Sequence, residues 1–166
     1  MKLARTIRFD ESDLNIFPRT AEEREWALVG TFTFQHLQKT DLIGKTRQAF
    51  SNGFLGVDSF GYSTFVTVAE AKEADYEHIK AALVDLFINE MGAPNAEAAG
   101  EAANEEIAFM ADLCAQHSKG SLLAIHREWG EDGIGETFRH FPKPESCSEQ
   151  KIWAIVEDQD GDEYVI

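Results

Sequence analysis

The sequence predicts an α+β fold, a largely antiparallel sheet with about three helices packed on one face. Three observations carry it: apolar residues alternate with a period of two near the start of the 166-residue chain, they recur at helical spacing in the middle, and Asp-Gly steps separate the late strand-like runs. That length suits a single domain over residues 1–166.

Taken in order, Leu3, Arg5, Ile7 and Phe9 alternate with Ala4, Thr6 and Arg8, which predicts a short strand, and residues 10–13 read as a turn. Trp26–Phe34 predicts the clearest strand, with Trp26, Leu28, Phe32 and Phe34 sharing one face. From Asp41 to Asn52 the spacing turns helical, with Thr40 or Asp41 to cap the start and Gly53 the end. A glycine-rich loop, Gly53–Gly61, leads to a Thr- and Val-rich strand over Tyr62–Ala69. Helices follow over Asp75–Met91 and Asn95–Gln116, the second with an Ala-rich opening prone to fray. Leu122–Trp129 and Glu136–Phe141 form a hairpin, and Ile152–Glu157 with Tyr164–Ile166 form another.

Thirty acidic residues against fifteen basic ones leave a formal charge of −15, which repels a phosphate backbone and removes nucleic acid as a partner. The excess is one-sided: residues 1–60 hold eight basic and eight acidic residues, so the imbalance lies after Phe60. No stretch approaches the ~20 apolar residues of a membrane span, and the opening residues lack the apolar block of a signal peptide. A cytoplasmic protein without a membrane partner is expected. Cys114 and Cys147, with no Cys-x-x-Cys pair, read as free thiols of a reducing compartment.

The chemical motifs are incomplete. Gly44-Lys45-Thr46 opens a helix as a phosphate loop does, but the required first glycine is Lys39. Asp158–Glu163 imitates a calcium loop, yet Val156 falls at the first ligand position. Ser63 lacks the second glycine of a nucleophile elbow. No two of the five histidines have His-x-x-x-His spacing; the arrangement to weigh for a metal is His126, Glu128 and His140 across the hairpin, which depends on strand register. Glu97, Glu101 and Glu105 stack like charge along a helix, the mark of a solvated face or of a docking face for a basic partner. No cofactor is implied.

Gly53–Gly61 is harder to set aside. Phe54, Leu55, Val57 and Phe60 on a glycine-permissive loop are costly to expose, so they are either folded under the sheet or kept for a partner or ligand.

The run Gly44–Phe65 (GKTRQAFSNGFLGVDSFGYSTF), with the opening MKLARTIRFD, resembles a family of small proteobacterial proteins of unknown function. The resemblance implies a bacterial, cytoplasmic, stand-alone domain and assigns no catalytic residue.

Two functional expectations follow. The first is a non-enzymatic accessory or protein-interaction domain, with a homodimer or another protein as partner and the apolar loop beside Lys45 and Arg47 as its surface. The second is a small-molecule-binding protein or enzyme with a pocket between helices and sheet near Phe54, Leu55, Phe60 and Tyr62, where Arg47 or Lys45 anchors an anion.

Overall fold

The computed structural model describes residues 1–9 and 11–142. Its centre is a seven-stranded antiparallel sheet: β1 (Lys2–Ile7), β2 (Trp26–Leu28), β3 (Phe54–Gly56), β4 (Tyr62–Ser63), β5 (Phe65–Glu70), β6 (Leu122–Gly130) and β7 (Gly133–Phe141), in the order β4-β3-β2-β1-β5-β6-β7. The helices are α1 (Asp13–Ile16), α2 (Gly44–Asn52), α3 (Glu73–Asn89) and α4 (Ala96–Ala115). The expected α+β architecture is therefore present. The strands expected at residues 152–157 and 164–166, Cys147 and the calcium-like run 158–163 lie outside the described residues.

Period-two burial in β5 turns Val66 and Val68 inward, and Leu123 and Ile125 continue that layer in β6. Ile79, Leu83, Ile107 and Met110 of α3 and α4 complete it. Each such side chain removed from water contributes about 1.5–3 kcal/mol before conformational entropy is set against it. The Ala-rich opening of α4 is helical throughout, because Ala99 and Ala103 are fully buried and the Asn95 side chain accepts from the Ala98 N–H at 2.8 Å. No helix among the described residues is long and apolar enough to cross a membrane.

The predicted strand Trp26–Phe34 is corrected: pairing stops at Leu28 and Thr31–Phe34 forms a 3-10 turn. Gly30 causes the break. Its φ of +80° turns the chain out of the sheet, and its Cα lies against Leu55, where an added Cβ would come within 2.5 Å of the Leu55 Cβ. Phe32 and Phe34 then enter different clusters, Phe32 against Phe87 and Phe34 against Phe50 and Tyr62. The expected turn at residues 10–13 is also corrected at its end, since Asp13 starts α1 and is buried accepting from the Thr64 hydroxyl at 2.8 Å.

Gly53–Gly61 is packed inside for the most part. Phe54–Gly56 is a strand of the sheet, and Phe54, Leu55 and Val57 are fully buried. The tip is held by Glu25, a buried carboxylate that accepts from the backbone N–H of Glu22 (2.5 Å), Asp58 (2.9 Å) and Ser59 (2.9 Å) and from the Ser59 hydroxyl (2.6 Å). Four such bonds supply the solvation that burial removes. Gly56 leaves room for that carboxylate, because a Cβ there would lie 2.6 Å from Glu25 Oε1.

The hairpin outruns its neighbour. β5 pairs with β6 only at Leu122–Ala124, whereas β6 and β7 pair as far as Gly130 and Gly133. The edge of β6 beyond Ala124 is taken by α2, whose Asn52 amide donates to the Ile125 carbonyl at 3.1 Å.

Gly30→Ala combines left-handed strain with a clash and is expected to lower the unfolding free energy by about 2–4 kcal/mol in urea titration. Gly44→Ala, at φ +57° with nothing within 4 Å of the new Cβ, is expected to cost only about 1 kcal/mol.

Candidate functional site

The site is organised around Arg127. Period-two burial in β6 puts this residue between Ile125 and Trp129 on the helix-covered side, and it is 1% exposed. Its guanidinium donates to four acceptors: Nε to Thr31 Oγ1 (2.7 Å), Nη1 to the carbonyls of Phe50 (2.8 Å) and Ala49 (3.3 Å), and Nη2 to the Val29 carbonyl. It also lies 5.0 Å from the centre of the Phe34 ring. Burial draws its pKa down to about 10, with Glu136 and Tyr62 opposing that shift, so the side chain stays cationic at neutral pH. One residue thus joins the last turn of α2, the end of β2 and the following 3-10 turn to the hairpin.

The relay continues outward. Thr31, having accepted from Arg127, donates its own hydroxyl proton to Glu136 of β7. Glu136 stands at the wall of a cleft of about 470 Å³ between α4 and the hairpin, and Glu106 of α4 lines the same space. Val29, Phe32, Phe109, Trp129 and Ile134 form the apolar walls. Glu106 is half-buried, and no hydrogen bond or ion pair engages it among the described residues. Burial first, then the charges of Glu136 and Glu105, raise its pKa to about 7. The cleft therefore holds one hydrogen-bonded carboxylate and one that lacks a counter-charge.

A second groove, of about 410 Å³, runs between α2 and β6. Lys39, Arg47, Ser51 and His126 line it together with Arg127 and Glu128, above an apolar floor of Leu42, Phe50 and Trp129. The sequence-selected residues divide accordingly. Arg47 lines this groove, while Lys45 is exposed elsewhere on α2. Phe54 and Leu55 are core residues that present no surface. Phe60 is half-buried at φ +54°. Tyr62 is half-buried, stacks on Phe34 and meets the Thr33 hydroxyl at 3.2 Å; burial raises its pKa, against the Thr33 bond and the charges of Arg127 and Arg19. Two clefts lie on either side of Trp129 and a third beside Met1, Ala71 and Tyr76, and Phe54, Phe60 and Tyr62 line none of these three.

Strand register separates the three residues weighed for a metal. His126 pairs with Thr137 and Glu128 with Gly135, on one face, whereas His140 pairs with Leu123 on the opposite face. His126 Nε2 lies 3.3 Å from Glu128 Oε2, and the His140 ring instead stacks on His117 with 4.0 Å between centroids. Among the described residues no group of three His, Cys, Asp or Glu side chains is placed to hold a metal ion. Cys114 is fully buried in α4, and burial pushes its thiol to about 12, far from thiolate chemistry at neutral pH.

Sequence reasoning did not single out Arg127, Thr31, Glu106 or Glu136. Arg127 carried a signal, since it falls at buried parity between Ile125 and Trp129. Glu106 is one of thirty acids, and its neighbour across the cleft comes from a strand thirty residues later.

A model of a family of unknown function, DUF6505, matches residues 1–159, and the chain belongs to that family. No curated protein and no solved structure matches it.

Removal of the Arg127 fork by Arg127→Met is expected to cost at least about 3 kcal/mol, because several buried acceptors lose a charged donor at once. Arg127→Lys is expected to recover less than half of this, since an ammonium cannot span the same acceptors; urea titration of the three proteins measures it. Glu106 gives a pH test with a definite sign. Its folded pKa is raised, so its ionisation opposes folding above about pH 7 and the penalty fades as pH falls toward the unfolded value. Glu106→Gln is therefore expected to raise the melting temperature at about pH 8 and to have little effect near pH 5.

Proposed function

We propose that this protein is a non-enzymatic, cytoplasmic binding domain of bacterial origin that captures a positively charged group in the Glu106–Glu136 cleft. The observation that carries this reading is the half-buried Glu106 carboxylate, unpaired among the described residues, which lines the same aromatic-walled cleft as Glu136. Two carboxylates at one end supply the counter-charge an ammonium needs, and Phe32, Phe109 and Trp129 suit the apolar or aromatic body behind it. The volume matches a small organic amine, and the charge of −15 draws such a cation toward the surface. Cys114, a free thiol in the core, is in keeping with a reducing compartment.

A second reading is favoured by the exposure of Phe109 on the wall of the cleft, within reach of another chain. A lysine or arginine side chain of a partner protein, or of a second copy in a homodimer, fits the same carboxylates. An enzyme on this cleft is the remaining alternative, since a carboxyl near neutrality also suits proton transfer; turnover of the bound amine would distinguish it.

Phenethylamine and a lysine-containing peptide, titrated while backbone amide signals are followed by NMR, separate these occupants. The amine is expected to shift Trp129 and α4 signals saturably, with affinity rising between about pH 6 and 8 as Glu106 ionises, and Glu106→Gln is expected to weaken it by about tenfold. Preference for the peptide favours the interaction reading. Binding that ignores both pH and Glu106→Gln would exclude the cleft.

A further inference from the structure

The groove on the other side of Trp129 has the opposite chemistry. Lys39 comes from the 3-10 turn Lys39–Asp41 and Arg47 from α2, so two separate elements bring cations to one space. Neither is paired with a carboxylate among the described residues. The acid nearest to Lys39 in sequence, Asp41, is committed to the Gln38 backbone N–H at 2.8 Å. Among the described residues Glu128 is the single acid lining the groove, and its carboxylate lies against His126. Beneath them Arg127 adds a buried positive charge whose hydrogen bonds run to carbonyls and a hydroxyl rather than to a carboxylate.

Among the described residues, three permanent cations line this groove against one acid, a local reversal in a chain of charge −15. An anion approaching elsewhere on the acidic part is repelled, while the low-dielectric walls of the groove strengthen attraction here. The floor adds selectivity. Half-buried Trp129 and Leu42 leave an apolar surface that a flat or apolar body attached to the anion can cover, and buried Phe50, 5.9 Å from Trp129, backs it.

We infer that the groove between α2 and β6, lined by Lys39, Arg47, Ser51 and His126, is a binding site for a small organic anion, a phosphate or carboxylate carried on an aromatic or apolar body. Arg47 supplies the planar fork that suits either headgroup, Lys39 a flexible point charge, and Ser51 a hydroxyl donor. Arg127 acts through its field, holding the floor in place. The site is separate from the acidic cleft, and its occupant has the opposite charge.

The test titrates the whole protein with phenyl phosphate, benzoate and inorganic phosphate, following amide signals by NMR. Phenyl phosphate or benzoate is expected to shift α2 and β6 signals saturably, more weakly as salt is added, and the stronger of the two identifies the headgroup. Arg47→Ala and Lys39→Ala, both at exposed positions, are each expected to weaken that binding about tenfold, equivalent to about 1.4 kcal/mol, with unchanged melting temperatures. Glu106→Gln is expected to leave it unaltered, which keeps this result independent of the amine test. Inorganic phosphate is expected to bind less tightly than phenyl phosphate, and equal affinity would overturn the role given to the aromatic floor. No saturable shift with any of the three anions, or binding unaffected by both alanine variants, would overturn the site itself.

Discussion

A buried guanidinium is the constraint on which the rest of this structure rests. Arg127 cannot be solvated where it lies, so its charge must be met by acceptors brought from several parts of the chain. Those acceptors are the carbonyls that close α2, the Val29 carbonyl just past β2 and the Thr31 hydroxyl. Satisfying them sets where α2 ends, where β2 leaves the sheet and how the overhanging hairpin is held. The left-handed turn at Gly30 serves the same end, because it brings Val29 and Thr31 together beneath Arg127 instead of sending them along a strand.

Glu25 does for the other side of the sheet what Arg127 does for the hairpin. Its carboxylate gathers the backbone N–H groups of Asp58 and Ser59 and the Ser59 hydroxyl, and His78 of α3 reaches the same loop through Asp58 at 2.6 Å. The two buried charges are of opposite sign and far apart in sequence, and each is neutralised by dipoles. The side chains of Lys2, Arg5, Arg8 and Arg19 likewise donate to backbone carbonyls, those of His117, Arg24, Ala21 and Ser59. Cohesion comes from apolar packing and oriented backbone groups, which leaves surface charges available to the solvent and to ligands.

The hairpin overhang brings two spaces of contrasting electrostatics to opposite sides of Trp129. On one side α4 contributes Glu106, and the Arg127–Thr31–Glu136 relay holds the second carboxylate; on the other, α2 and the preceding turn contribute Arg47 and Lys39. Arg127 borders both, as a donor to the relay of one and as part of the wall of the other. A change at this residue would therefore be felt in both spaces.

What could be read from residue order was the repeating part of the fold. Helical spacing located α2, α3 and α4, period-two spacing located β1, Thr and Val content located β5, and the Asp-Gly step located the β6–β7 hairpin, because each of these signals is local in the chain. The same logic misread Trp26–Phe34: alternation states that Phe32 and Phe34 need burial, not that one sheet face provides it. It left Gly53–Gly61 open, since burying Phe54 and Leu55 depends on Glu25 and Leu28, which are distant in the chain. Only tertiary structure put His140 behind the sheet from His126, brought Glu106 to Glu136, and surrounded Arg127 with carbonyls. Local order encodes the periodicity of burial, whereas a site is defined by strand register and by which distant groups must satisfy a buried charge, and these are settled only when the whole chain has packed.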